Sequence, residues 1–280
     1  MAASPSRRTE AEWREEIIQV CQFLGQKGYV SATDGNISVR LSDDLFLATP
    51  SGFSKPLLRP DQLILVDWEG KRVIRSRWGE DPSLKPTSEL LLHLEVYRQR
   101  PDVLSVVHAH PPTCVALSIA GISLAQCLLP EVVMTLGTIP TTEYGMPSSP
   151  EGARIVRDLI RYHDALVLKR HGTVTVGTSP LDAYLKLEKV EHTAHISYML
   201  HLLGRVEPLP PEEVERLLEF RRKKRPLAPE EEELLCAECG FCRTLSGGRD
   251  AARAEAPSAS AVRPLVEEVV RRVLLELGRG

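Results

Sequence analysis

Apolar positions recur along the chain in two rhythms. Between Thr9 and Gly28, the residues Trp13, Ile17, Val20, Cys21 and Leu24 form one helical stripe, and Thr9 with Glu12 has capping-box spacing. The polar, glycine-containing stretch SATDGNISVRL (31–41) follows. LFLATPSGFS (45–54) and QLILVDWEG (62–70) then read as strand-like pieces separated by turn residues. From Thr87 to Arg100 the pattern is helical again, with Leu91, Leu94 and Val96 among its apolar positions, and Pro101 stops it. DVLSVVHAH (102–110) reads as a strand, and Pro111-Pro112-Thr113 fits the first turn of a helix reaching Ala120. A helix is expected over Glu151 to Tyr162 and a long one over Pro180 to Leu203. Between them, ALVLKRHGTVTVG (165–177) reads as two short strands around a turn at Gly172. Helices alternating with short strands imply an α/β domain whose sheet is covered by helices, ending near residue 226.

The pattern changes beyond that point. RRKKRPLAPEEEELL (221–235) is a basic run followed by an acidic one, the mark of a solvated helix and loop. A cysteine-rich segment comes next, and residues 246–261 are a flexible linker of Ala, Ser, Gly and Arg. Over 262–280, the residues Val262, Leu265, Val266, Val269, Val270, Val273, Leu274 and Leu277 recur three and four apart, describing a tethered amphipathic helix. The expected organisation is therefore a domain over 1–226, a Cys-rich segment over 227–245, the linker, and the terminal helix.

Composition narrows the function classes. With 280 residues, the chain can build one full-size domain plus an appendage. A formal net charge of -3 carries no electrostatic footprint for a polyanion, so no nucleic-acid partner is expected. No signal peptide or apolar run of membrane-span length is present, which makes the cytoplasm the expected compartment. Of six cysteines, Cys21, Cys114 and Cys127 sit singly in apolar segments and read as small buried hydrophobes. Cys236, Cys239 and Cys242 form C-x2-C-x2-C, which either supplies three of four ligands for a second zinc or three cysteines of an iron-sulfur cluster, or holds free thiols or a redox pair.

The candidate chemistry centres on VVHAHP. His108 and His110 project from one face of a strand end, where they either share a metal ion or pack at a sheet edge. His171 in LKRHG ends another apolar strand, and three histidines from two strand ends match a zinc site with one open position. His93, His163, His192, His195 and His201 read as structural. Glu89 in PTSELLLH is either part of a helix cap or the proton-transfer group such a metal needs. The loops Thr33-Asp34-Gly35-Asn36 and Thr49-Pro50-Ser51-Gly52 are turns or phosphate cradles.

GNISVR, TPSG, PTSE, VVHAHP and LKRHG stand in the order and spacing of the class II aldolase/adducin superfamily, and residues 10 to 222 resemble its fuculose-phosphate aldolase branch. The resemblance implies an α/β/α layered domain around a central mixed β-sheet, assembled as a homotetramer. It implies that His108, His110 and His171 bind one Zn2+ per subunit, that Glu89 is the catalytic acid/base, and that Gly35, Asn36, Ser51, Gly52, Thr87 and Ser88 hold the substrate phosphate. The implied reaction is reversible cleavage of L-fuculose or L-rhamnulose 1-phosphate to dihydroxyacetone phosphate and L-lactaldehyde. Two tyrosines that handle the aldehyde end in this branch are missing at the corresponding spacings, near Leu129 and Lys224. Glu131 and Tyr144 are the nearest polar replacements. Rival readings within the superfamily are a 4-epimerase, which carries Asp where this chain has Glu89, a sugar-phosphate dehydratase, and a non-catalytic adducin-like module, which lacks the histidines. The terminal helix resembles the encapsulation peptides of bacterial microcompartments, implying a shell or cargo protein as partner and a microcompartment as location.

Overall fold

Alternation of side chains along each strand builds the centre of the molecule. In the computed structural model, which describes residues 8–74, 78, 81–224, 227 and 229–239, seven strands form one sheet in the order β4-β3-β2-β1-β5-β7-β6. The strands are β1 (Asn36–Ser42), β2 (Leu45–Ala48), β3 (Ile64–Val66), β4 (Arg72–Val73), β5 (Ser105–Ala109), β6 (Ala165–Leu168) and β7 (Gly172–Gly177). On one face Ile37, Val39, Leu47, Leu65 and Val107 meet helix α1 (Glu10–Gln26) and helix α6 (Pro180–Leu202). On the other, Phe46, Ile64, Val66, Val106, Val174 and Val176 meet helix α2 (Leu90–Gln99) and the segment carrying Val156 and Ile160. Both faces are buried, so β2, β3 and β6 are apolar at every position, whereas β1, β5 and β7 also bury polar residues such as Ser38, Ser105 and Thr175. Each fully buried aliphatic side chain contributes about 1.5–3 kcal/mol.

The layered α/β architecture is the expected one, with a refinement in the sheet. Every strand pair is antiparallel, where a mixed sheet was expected, and the parallel element is a single bridge between Thr141 and Val167. Helix α1 starts as its capping box requires, with Thr9 accepting from the Glu12 N–H and the Glu12 carboxylate reaching back to the Thr9 N–H. Strand β1 lies inside the stretch read as polar. Its polar residues Asn36 and Ser38 face α2, which carries polar partners for them, while Ile37 and Val39 fill the opposite core. The helix expected over Glu151 to Tyr162 is regular only over α5 (Pro150–Arg154) and continues as turns that still bury Val156 and Ile160.

Helix α3 (Pro112–Ala120) and helix α4 (Pro130–Thr135) pack with β6 and α6 in a third apolar cluster. Helix α7 (Pro211–Lys224) and helix α8 (Pro229–Cys239) follow, and a fourth cluster joins Val133 of α4 to Val214, Leu218 and Leu235. Cys127, read from the sequence as a lone buried thiol, is disulfide-bonded, and so is Cys236. Cys236 therefore offers no thiolate to a second zinc or an iron-sulfur cluster. The Cys239 side chain, Cys242, the linker over 246–261 and the helix expected over 262–280 lie outside the described residues. No helix among the described residues is long and apolar enough to cross a membrane.

Candidate active site

Register places the candidate residues at one end of the sheet. His108 of β5 stands opposite Asn36 of β1 on one side and Val174 of β7 on the other, and His171 immediately precedes β7. The chain reaches His171 through Arg170, whose φ of 61° makes it the left-handed residue of this turn. Gly172, expected to supply the sharp turn, is needed for a different reason. A Cβ there would lie 2.4 Å from the Ala109 carbonyl oxygen and 2.6 Å from His110 Cδ2, so only glycine lets β7 approach the histidine strand. Gly35 needs both properties: its φ is +74°, and a Cβ would meet Val30 Cγ1 at 2.6 Å and the His108 carbonyl at 3.0 Å.

The three imidazoles stand with centroids 4.8–4.9 Å apart and planes tilted 52–70° to one another. His108 Nδ1 donates to the Thr173 carbonyl at 2.8 Å, which fixes the tautomer and leaves Nε2 facing the site. That Nε2 lies 2.9 Å from His110 Nε2 and 3.1 Å from Glu89 Oε2, and His171 Nε2 lies 3.2 Å from Glu89 Oε1. Asp34 sits behind His110, with Oδ2 3.5 Å from Nδ1. One ligand atom from each of Glu89, His108, His110 and His171 lies within 4.8 Å of the others. Three imidazole nitrogens on a shared centre form the donor set of a divalent-cation site with a fourth position left over, and the Glu89 carboxylate stands beside it.

Glu89 occupies the N-cap of α2, yet its side chain makes no capping bond and turns instead into the histidines. The cap reading of Thr-Ser-Glu thus captures its backbone position and misses the direction of its carboxylate. Burial pushes the Glu89 carboxyl up, but His108, His171 and the Asn36 amide outweigh it and hold the group well below the usual carboxylate range. Burial lowers His108 as well, and Glu89 more than reverses this, so His108 is raised. His110 is lowered to about 4 by burial and by its neighbours His108 and His171, and His171 to about 4 by burial and by His108. At neutral pH two of the three imidazoles are therefore uncharged and ready to ligate.

A cleft of ≈ 250 Å³ opens beside this cluster. Its walls hold Gly35 and Asn36 from one loop, Ser51 and Gly52 from the next, and Thr87 and Ser88 before α2, bringing all six phosphate candidates together with Glu89, His110 and His171. His108 lies fully buried just behind them. The Asn36 amide is engaged at both ends, with Nδ2 donating to Glu89 and Oδ1 facing His93.

Two residues of the cleft had no signal in the sequence. Lys55 is buried, and its Nζ donates to the carbonyls of Thr33 and Phe53 at 2.7 Å each, tying the two loops together and placing a cation beneath them. Ser148, at φ 58°, donates from Oγ to Ser88 Oγ at 3.0 Å and closes the cleft from the far side. Strained backbone of this kind costs about 1–3 kcal/mol and gathers at functional sites. Tyr144 is exposed on the loop that contributes Pro147 and Ser148 to the cleft, whereas Glu131 is exposed on α4 and does not line it.

An α/β layered domain thus carries three strand-end imidazoles, a carboxylate among them and a polar, loop-walled cleft alongside, the donor set of a divalent-cation site next to a cavity. Residues 15–198 match the Class II Aldolase and Adducin N-terminal domain, and the chain belongs to that family. It is 34% identical to an L-fuculose phosphate aldolase of Methanococcus vannielii over 186 residues, 66% of this chain and 96% of the relative. It is 32% identical to a 3-oxo-tetronate 4-phosphate decarboxylase of Escherichia coli K12 over 197 residues, 69% of this chain and 89% of the relative. Among solved structures, YgbL of Klebsiella pneumoniae, described as an aldolase, epimerase or decarboxylase, superposes with a TM-score of 0.67 at 31% identity, covering 75% of this chain and 99% of that one.

Proposed function

We propose that this protein is a zinc-dependent aldolase that reversibly cleaves a 6-deoxyketose 1-phosphate, L-fuculose or L-rhamnulose 1-phosphate, to dihydroxyacetone phosphate and L-lactaldehyde. The observation that carries this reading is the placing of Glu89 between two histidine nitrogens at the mouth of a cleft walled by two loops and a buried lysine. His108, His110 and His171 would hold the zinc, which when bound supplies Lewis-acid stabilisation of the oxygen charge that develops beside the breaking carbon-carbon bond.

The chain's own residues do the rest. The backbone N–H groups of the Gly35 and Gly52 loops, the hydroxyls of Ser51, Thr87 and Ser88, and the Lys55 cation seat the phosphate and so fix the reacting carbons against Glu89. In the synthetic direction the Glu89 carboxylate removes a proton from the hydroxymethyl carbon of dihydroxyacetone phosphate, the exposed carbon adds to the aldehyde, and the aldehyde oxygen takes that proton from Glu89 as the new hydroxyl forms. In cleavage the Glu89 carboxylate accepts the proton of the substrate's C4 hydroxyl, the C3–C4 pair shifts toward the carbonyl, and Glu89 returns that proton to C3. Tyr144, exposed on the loop that supplies Pro147 and Ser148 to the cleft, would be the polar group that meets the aldehyde oxygen.

A second reading has its own support in the E. coli decarboxylase relative. Loss of CO2 from a 3-oxo acid phosphate also leaves a pair on the carbon next to a carbonyl, so the same carboxylate and cation would serve it. Assembly as a homotetramer and delivery into a microcompartment by residues 262–280 belong to this proposal and are supported by the resemblance of the sequence. The test is a substrate panel for the zinc-loaded protein: L-fuculose 1-phosphate and L-rhamnulose 1-phosphate followed by dihydroxyacetone phosphate release, and 3-oxo-tetronate 4-phosphate followed by CO2. Release from either deoxyketose phosphate upholds the aldolase; CO2 alone replaces it with the decarboxylase.

A further inference from the structure

Behind Glu89 runs a chain of four hydrogen bonds, the three beyond Asn36 fully buried. Asn36 Nδ2 donates to Glu89 Oε2 at 3.0 Å, and Asn36 Oδ1 lies 2.5 Å from His93 Nε2. His93 Nδ1 lies 2.7 Å from Ser38 Oγ, which lies 2.8 Å from the Tyr97 hydroxyl. Asn36, Ser38, His93 and Tyr97 are all buried.

The direction of every bond follows from the first. A carboxylate oxygen only accepts, so the Asn36 amide must turn its NH2 to Glu89 and its oxygen to His93. That oxygen also only accepts, so His93 Nε2 carries the hydrogen. Burial, with the charge of His108, lowers His93 to about 3, so the ring is neutral at physiological pH. Nδ1 is then an acceptor for the Ser38 hydroxyl, and Ser38 Oγ accepts from Tyr97. All four donors point toward Glu89. If the amide flipped, its oxygen would face the carboxylate and its NH2 would face the His93 N–H, placing two like partners together at each end.

We propose that His93 is a positioning residue for the proton-transfer step: through its Nε2–H it locks the Asn36 amide, and the amide in turn holds the Glu89 carboxylate in its reactive placement. The proposal rests on the reading of Glu89 as the proton-transfer group. His93 neither lines the cleft nor offers a ligand atom to the histidine cluster. Glu89, His93 and Tyr97 succeed one another at four-residue intervals, so one side of the helix start and helix presents the carboxylate, its orienting imidazole and the Tyr97 hydroxyl that bonds Ser38, the partner of that imidazole's Nδ1.

Two variants test this in the zinc-loaded enzyme. His93→Gln keeps an N–H donor where Nε2 stands, and His93→Leu removes it. His93→Leu is expected to lower kcat roughly 10²-fold with KM little changed, the signature of a misplaced group rather than lost binding; His93→Gln should recover most of the rate. Two readouts do not depend on the reaction. ¹⁵N NMR of histidine-labelled wild type should show His93 protonated at Nε2 and bare at Nδ1. The Asn36 side-chain NH2 signals, identified by their loss in Asn36→Asp, should move in His93→Leu and stay in His93→Gln. An Nδ1–H tautomer, unmoved Asn36 signals in His93→Leu, or a wild-type kcat in that folded variant would overturn the proposal. If no sugar phosphate is turned over at all, the proposed reaction fails, and the two NMR readouts still decide whether His93 locks the amide.

Discussion

Acid should expose the cost of keeping His93 uncharged. Its ring is fully buried, and burial first, then the charge of His108, lowers it from the ordinary 6.5 to about 3, with Glu89 opposing weakly. In the unfolded chain the same ring takes up a proton near 6.5. The unfolded state therefore binds the extra proton, and the stability associated with His93 is complete above pH 6.5 and lost progressively as pH falls toward 3. At pH 5 the loss relative to pH 8 is about 2 kcal/mol, approaching about 5 kcal/mol below pH 3. His93→Gln keeps a donor to Asn36 but has no proton to take up. Thermal unfolding of both proteins at pH 8 and pH 5, followed by circular dichroism, isolates this contribution from every other titrating group. The wild type should lose more melting temperature than the variant, by roughly 3–4 °C for a chain of this size. Equal losses would refute the reasoning, because they would mean that the ring is protonated in the folded state or lies in contact with solvent.

Three further outcomes follow from the site. Gly172→Ala drives a Cβ to within 2.4 Å of the Ala109 carbonyl and should cost about 1–3 kcal/mol in chemical denaturation while weakening zinc retention, since the same Cβ meets His110 and His108. Lys55→Met removes the buried cation that ties the two loops; KM for a phosphorylated substrate should rise roughly tenfold or more, and the affinity for inorganic phosphate should fall in parallel, as measured by competitive inhibition. Zinc affinity of the metal-free protein should fall as pH drops, because each imidazole ligates only in its unprotonated form and Glu89 raises His108 whereas burial lowers His110 and His171 to about 4. Calorimetric zinc titrations at descending pH measure that fall, and an affinity unchanged from neutral pH down to about pH 4 would contradict ligation by these imidazoles.

The parts of this site that could be read in the sequence are those encoded by local spacing. His108 and His110 share a strand face because they are two apart, and His171 with Gly172 marks a second strand end, so the three imidazoles could be grouped without coordinates. What the sequence could not provide was distance across the fold. Lys55 is an ordinary surface lysine by type, and only the folding of two loops over it makes it a buried cation. Ser148 and Arg170 carry positive φ that neither residue type advertises. His93 was read as structural because a histidine within a helix has no obvious chemistry. Its signal was the four-residue interval from Glu89 to His93 to Tyr97, a polar stripe on a helix otherwise rich in leucine. Strand β1 was obscured for a related reason: Asn36 and Ser38 look like loop residues until α2 supplies their partners.

The most direct test of the account compares wild type with Glu89→Gln, each assayed for zinc content and for dihydroxyacetone phosphate release from L-fuculose 1-phosphate, with and without a chelator. The account predicts that both proteins hold one zinc per chain, that chelation abolishes wild-type turnover, and that Glu89→Gln lowers kcat by roughly 10²–10⁴-fold. Undiminished turnover in chelator, or a wild-type rate in zinc-loaded Glu89→Gln, would contradict the claim that Glu89 moves the proton beside a histidine-held metal.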